Sequence, residues 1–397
     1  MYRIAGPAAA IVALLIGVGP VAASSWTPPA QLTSSHTASV SYARSLVVSG
    51  GVVHLVNAES TGALEYRRSL DGGQSWSSAV TLAKPSSRYP TVLGDPAIAA
   101  LNGLVVFAYR ANDSTAAYLI VRISHDGGLT WAAPKTVAKV VTTRRIGEQS
   151  VAVSSAGIFV AWTNRVTGSI IVERSVDQGT TFKPAQRIGV TTATFFPGNP
   201  AFTDGLIGLA ASGSNVDLAW SPSGDGTMDS IVLSRSTDGG VTYWPAKTIL
   251  AEPSVGWVAL SAAGSYLAGE VETADGAVVA FSSANGGATV AHHRLAGPGS
   301  VTSLTNGSVA VDATGSIVFS YVRNDPAVPP AQAAGSILVR RSSDGGAHWS
   351  PFETVAAHLP SVTPVDTAFA GGKTLLVWTS CAGPTSTSCD IFDSRGP

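Results

Sequence analysis

Ser69-Leu70-Asp71-Gly72-Gly73-Gln74-Ser75-Trp76 is an octet that this sequence writes six times. The copies are Ser124-His125-Asp126-Gly127-Gly128-Leu129-Thr130-Trp131, Ser175-Val176-Asp177-Gln178-Gly179-Thr180-Thr181-Phe182 and Ser236-Thr237-Asp238-Gly239-Gly240-Val241-Thr242-Tyr243. The fifth is degenerate, Ser283-Ala284-Asn285-Gly286-Gly287-Ala288-Thr289-Val290, and the last is Ser342-Ser343-Asp344-Gly345-Gly346-Ala347-His348-Trp349. Each residue type suits a hairpin turn. The glycines supply positive φ. The Ser hydroxyl and the Asp carboxylate can bond backbone amides inside the turn. The closing aromatic covers it with apolar area. Successive copies lie 47 to 61 residues apart. A repeat of that length, holding several short strands per unit, predicts the blades of a β-propeller.

The flanking sequence gives the order of strands. A strand runs into each box Ser, as at 118–124 and 337–342. Upstream lies a second strand with an aromatic near its end, as at 105–109, 158–162, 216–220 and 317–321. After the octet comes a further strand, as at 135–138 or 352–355. The pattern predicts an all-β fold of four-stranded antiparallel blades. The chain ends after a second and a third strand, with no octet and no fourth strand. The missing piece is at the other terminus: Trp26-Thr27-Pro28-Pro29-Ala30-Gln31-Leu32 matches the segments that follow the octets, such as Trp349-Ser350-Pro351-Phe352-Glu353-Thr354-Val355. Residues 26–33 therefore complete the last blade, which closes the ring and removes a sheet edge. This makes seven blades; six, with a decorated C-terminal edge, is the alternative.

Composition narrows the function classes. Hydrophobic residues make up 45% and charged residues 12% of 397, with a net charge of -1 and scattered cations. No basic stripe exists to neutralise phosphates, so nucleic acid is not an expected partner. Arg3, an apolar run over residues 8–19 and Val21-Ala22-Ala23 read as a secretory signal cleaved after Ala23. The expected division is 1–23 signal peptide and 24–397 a single propeller domain, secreted and without a membrane span after cleavage. An uncleaved anchor is the alternative. Cys381 and Cys389 are the only cysteines, and in an exported protein a close pair predicts a disulfide, here stapling the hairpin of the shared blade. No metal or cofactor motif is present. Asp225 and Asp229 fall short of the oxygens that calcium takes, and His292-His293 lacks further ligands.

The octet resembles the Asp-box of the BNR-repeat sialidase-like propellers. The resemblance covers nearly all of the mature chain, and the motifs that carry it are structural. It implies that Asp71, Asp126, Asp177, Asp238 and Asp344 hold turns at the junction of third and fourth strands, on the face away from an active site. The opposite face would carry the loops entering each first strand and joining second to third strands, and with them Asp95, Glu148, Glu270, Glu272 and Asp366. The family binds a substrate carboxylate with arginines and uses a Tyr–Glu nucleophile pair and an Asp acid/base. In the second repeat, Arg88-Tyr89-Pro90 and Val106-Phe107-Ala108-Tyr109-Arg110 followed by Asp113 resemble the family's arginine and acid segments. Carried over, Arg88 and Arg110 would meet carboxylate and Asp113 would be the acid/base. The spacing departs from the family's, because Pro96 rather than Pro90 keeps the expected distance to Phe107. That puts Gly94 or Asp95 at the arginine position. Tyr321 is the late tyrosine, in frame with Tyr109 and Trp162 as a core aromatic.

Arg144, Arg165, Arg323 and Trp257 are further candidates for ligand binding. Arg110, Arg165 and Arg323 hold similar loop positions in three blades and could converge on an anion, or cover blade edges with their stems. Trp257 could stack on a sugar ring. The expected function is a secreted, monomeric propeller that recognises an extracellular glycan or cell-surface polymer. The alternatives are an exo-sialidase or other glycoside hydrolase or polysaccharide lyase, and a non-catalytic protein-interaction scaffold.

Overall fold

A computed structural model of the chain describes residues 26–35, 37–39, 44–93, 95–141, 146–191, 207–222, 230–252, 258–273, 275–297, 307–324, 335–359, 362–382 and 388–397. The proposed signal segment, Arg144, Trp257, Asp225 and Asp229 lie outside these residues. Seven antiparallel sheets stand around one axis. Blade one has a first strand in two pieces, Ala38–Ser39 and Leu46–Ser49, then Val52–Glu59, Leu64–Ser69 and Val80–Ala83. Blade two repeats this with Thr91–Val92 and Ala97–Leu101, Leu104–Asn112, Ala116–Ser124 and Lys135–Val141. Blades three to six begin with the first strands Ile146–Ser154, Gly208–Ser212, Ala259–Ala263 and Ser308–Val311. Blade seven is Val362–Ala370, Lys373–Cys381 and Cys389–Gly396, with Ala30–Gln31 of the N-terminal segment as its fourth strand. The seven-blade reading and the closure by the N-terminus hold. No helix of the described residues is long and apolar enough to cross a membrane.

Hydropathy explains each strand's place. The second strands, such as Leu104–Asn112, are buried along almost their whole length because adjacent blades cover both faces. The fourth strands form the outer rim, and Lys135–Val141 alternates toward solvent. Third and fourth strands slip register at the same point in six blades, for example between Leu119 and Ile120 or Ile170 and Ile171. Such bulges raise local twist, which splays each blade outward.

The octets form one turn six times. In the first, the Ser69 hydroxyl donates to Asp71 Oδ1 at 2.7 Å and accepts from the Gly73 amide at 2.8 Å. The Asp71 carboxylate accepts from the Ser75 amide at 2.8 Å and the Ser75 hydroxyl at 2.6 Å. These donors hold the Asp71 carboxyl well below its ordinary range, the Ser75 hydroxyl most of all. Asn285 makes the same turn, accepting from the Thr289 amide and donating to its hydroxyl, both at 2.9 Å. His348 replaces the hydroxyl in the last copy, with Nδ1 2.6 Å from Asp344 Oδ2.

The closing aromatics fill the cores between blades. Trp131 joins the core of blades one and two, Tyr243 that of blades three and four, and Trp349 that of blades five and six. The core between blades six and seven has no octet to supply it. Trp26 fills it instead, buried against Val318, Val355 and Trp378. Cys381 and Cys389 are disulfide-bonded across the second hairpin of blade seven.

Candidate functional site at the channel mouth

The seven first strands surround a central channel of 620 Å³. One end of it carries the octets. In blade two the Gly127 amide donates to Gly103 O, in the turn between first and second strands, at 2.9 Å, and blades four, five and six repeat that contact. The other end is where the first strands begin, and there charged side chains from several blades meet.

Glu148, on the first strand of blade three, is the centre of one cluster. Arg44, just before the second piece of the first strand of blade one, reaches Glu148 Oε2 with Nη1 at 3.1 Å. Arg110, on the second strand of blade two, reaches Oε1 with Nη2 at 3.2 Å and Asp95 Oδ2 at 2.8 Å. Arg44 also donates to the Gln149 backbone carbonyl, and the Gln149 side-chain Nε2 donates to the Asp95 backbone carbonyl. Burial alone would raise the Glu148 carboxyl, but Arg110, Arg44 and Arg165 outweigh it and hold it below its ordinary range. Asp95 is the open member, 37% exposed against 5% for the Arg110 side chain.

Asp366 ties blades six, seven and one together. It accepts from the Ser45 and Leu46 amides at 2.8 and 2.9 Å, the Ser308 hydroxyl at 2.8 Å and the Thr367 amide at 2.8 Å. Burial pushes its carboxyl up to about 6 against those donors.

Blade five departs from the repeat. Aligned on the octet Ser, the second strands of the octet-bearing blades carry Val56, Ala108, Ala161, Ala219 and Ser320 where blade five carries Glu270. Glu270 is buried, and its Oε2 has no hydrogen-bond partner among the described residues. Room for it comes from Gly307 of blade six, where a Cβ would lie 1.7 Å from Oε1. Burial, then the charge of Glu272, raises the Glu270 carboxyl well above its ordinary value. Glu270 in turn raises the nearby Tyr321 phenol, which burial already lifts strongly.

Arg110, Arg165, Asp95 and Glu148 are the sequence-named residues that come together here, with Arg165 Nε beside Gly147 next to Glu148; Arg110 sits on the second strand rather than in the expected loop, because that strand runs on to Asn112. Arg323 is exposed at the end of its strand. Asp113 sits on the turn joining second and third strands of blade two, where Thr115, Ala116 and Tyr118 donate to it. Those bonds, from Tyr118 first, hold it well below the ordinary carboxylate range. Arg88 is exposed, with its guanidinium 5.1 Å from the Tyr89 ring centre, in a cleft on the outer rim between blades one and two. Tyr321 packs edge-on to Phe352 in the core between blades, as its frame suggested. Arg44, Ser45, Gln149 and Ser308 carry no local sequence signal, since their roles arise only from ring closure.

No protein-family model and no curated protein matches the sequence. Solved structures do match its fold. An ulvan lyase of polysaccharide lyase family PL25, solved bound to -[GlcA(1-4)Rha3S]-, superposes with a TM-score of 0.57 at 8% identity, over 89% of this chain and 92% of that one. The endosialidase of phage phi92 superposes with a TM-score of 0.51 at 8% identity, over 93% of this chain and 68% of that one. The Hadza microbial sialidase Hz136 shares 15% identity with a TM-score of 0.47, and the match spans 63% of its length. At these identities the likeness is one of fold, a β-propeller.

Proposed function

We propose that this chain is a secreted propeller that recognises an extracellular glycan or cell-surface polymer over the channel mouth. On this reading residues 1–23 are a signal peptide, residues 24–397 act as a monomer, and the octets are Asp-boxes with a structural role. The observation that carries it is the buried Arg44–Glu148–Arg110 cluster with Asp95 open beside it. Fixed guanidinium donors and a carboxylate acceptor, held by three different blades, suit the hydroxyl and carboxylate groups of a sugar. Structural neighbours described as a polysaccharide lyase and an endosialidase lend the reading support.

A second reading, a glycoside hydrolase or polysaccharide lyase, draws on Glu270. A carboxyl whose hold on its proton burial strengthens, within electrostatic reach of a tyrosine, has the character of a general acid. The test is a screen of the purified protein against fluorogenic sialosides, other glycosides and uronate polymers, with a glycan array in parallel. Array binding without turnover supports recognition alone. Turnover lost in Glu270→Gln supports the enzyme, and neither binding nor turnover overturns both.

A further inference from the structure

Outside the channel, the rim between blades one and two opens into a cleft of 650 Å³. It differs from the mouth in charge. Lys84 and Arg88 line it, and no carboxylate does among the described residues. Tyr89, half-buried, supplies its accessible aromatic ring, and Thr81, Ser86 and Thr136 line it with hydroxyl-bearing side chains; Tyr109 behind them is buried in the core. The segment bearing Arg88 and Tyr89 is fixed from within. The Ser86 amide donates to Tyr89 O at 2.9 Å and the Tyr89 amide to the Ser86 hydroxyl at 3.1 Å. Tyr89 also meets the Tyr118 ring edge-on at 5.1 Å. Arg122 of blade two donates to Leu82 O of blade one at 2.9 Å, which ties the two blades together.

We propose that this cleft is a second glycan site, for an acidic sugar unit of a polymer, a uronate or a sulfated pyranose. It rests on the glycan reading above but uses none of the mouth residues. A pyranose presents an apolar C–H face and a hydroxylated edge. The Tyr89 ring matches the first, and Thr and Ser hydroxyls the second. Arg88 and Lys84, unopposed by any lining acid, match a carboxylate or sulfate. The volume falls within the range of small-ligand sites.

The test titrates the full-length mature protein with an oligogalacturonate hexasaccharide and a chondroitin sulfate hexasaccharide. Maltohexaose and poly-glutamate are the comparators. The variants are Lys84→Ala/Arg88→Ala together, Tyr89→Ala, and Asp95→Ala at the mouth, each checked for an unchanged melting transition. The site predicts that an acidic hexasaccharide binds, that maltohexaose does not use the cleft, and that the double variant weakens acidic binding about tenfold or more, as for loss of a charged contact. Unchanged acidic binding in the double variant overturns it. So does poly-glutamate that binds as well and is lost equally, which would mark an acidic-peptide site. If Asp95→Ala abolishes glycan binding and the cleft variants do not, the cleft fails and the mouth reading stands. If no glycan binds at all, both fail.

Discussion

Trp26 and Gly396, near opposite ends of the chain, are packed face against backbone: a Cβ at Gly396 would come within 2.5 Å of the indole ring. The indole Nε1 donates to Glu353 at 3.1 Å, and the Arg341 guanidinium lies 5.2 Å from its ring centre. The seventh inter-blade core is thus closed by a residue from the other end of the sequence, in the slot that an octet aromatic fills elsewhere.

Trp26→Ala is therefore expected to lower stability by about 3–5 kcal/mol, as for removal of a buried large aromatic. Gly396→Ala destabilises as well, because the new methyl has no space. Urea unfolding measures both. A loss below about 1 kcal/mol for Trp26→Ala would mean that the N-terminal segment does not hold the ring shut.

Gln178 occupies a glycine slot in the third octet, at φ 55°. A non-glycine residue there carries a strain of roughly 1–2 kcal/mol, partly offset by the freedom that glycine adds to the unfolded chain. Gln178→Gly is expected to stabilise by about 0.5–1 kcal/mol. Thermal melting of the two proteins side by side reads the sign.

Glu148 is the shared counter-charge of Arg44 and Arg110. Glu148→Ala leaves both buried guanidinium groups without it and is expected to cost about 3–5 kcal/mol. Replacing all three by apolar residues of similar size should recover much of that loss. Equal instability of the single and triple variants would show that the cluster is not the cause.

The octets, the strand order and the closing role of Trp26 were legible because each is local: a turn motif, a hydrophobic run or a copied segment. The disulfide was legible from two cysteines alone. The mouth was legible only in part. Arg110, Arg165, Asp95 and Glu148 were all placed on this face by the sequence, but Arg44 and Gln149 meet them only because blades one, two and three are neighbours around the axis. Arg88 and Asp113 lie close to Arg110 in sequence, yet one faces the outer cleft and the other caps a turn, since strand and turn aim them apart. Glu270 was legible as a member of the face opposite the octets, but what sets it apart, its burial at a position that is small or aliphatic in the other blades, shows only in the register.

Glu270 also sets a pH dependence. A carboxyl whose folded value is raised binds its proton more tightly in the folded state. Its contribution is fully present below the unfolded value of about 4.5 and is lost as pH rises toward the folded value. Glu270→Gln mimics the protonated form and removes that loss. Urea midpoints at pH 5 and pH 8 should show the variant gaining on the parent protein at the higher pH. An equal difference at both would contradict a raised carboxyl.

The central claim is that a glycan is read at the channel mouth. The most direct measurement is calorimetric titration of the strongest array ligand into the mature protein and into Asp95→Ala, whose substitution touches the open edge of the cluster. Saturable binding that weakens about tenfold or more in the variant, with an unchanged melting transition, is the predicted result. Binding of the same strength in both proteins, or no glycan ligand at all, would contradict it.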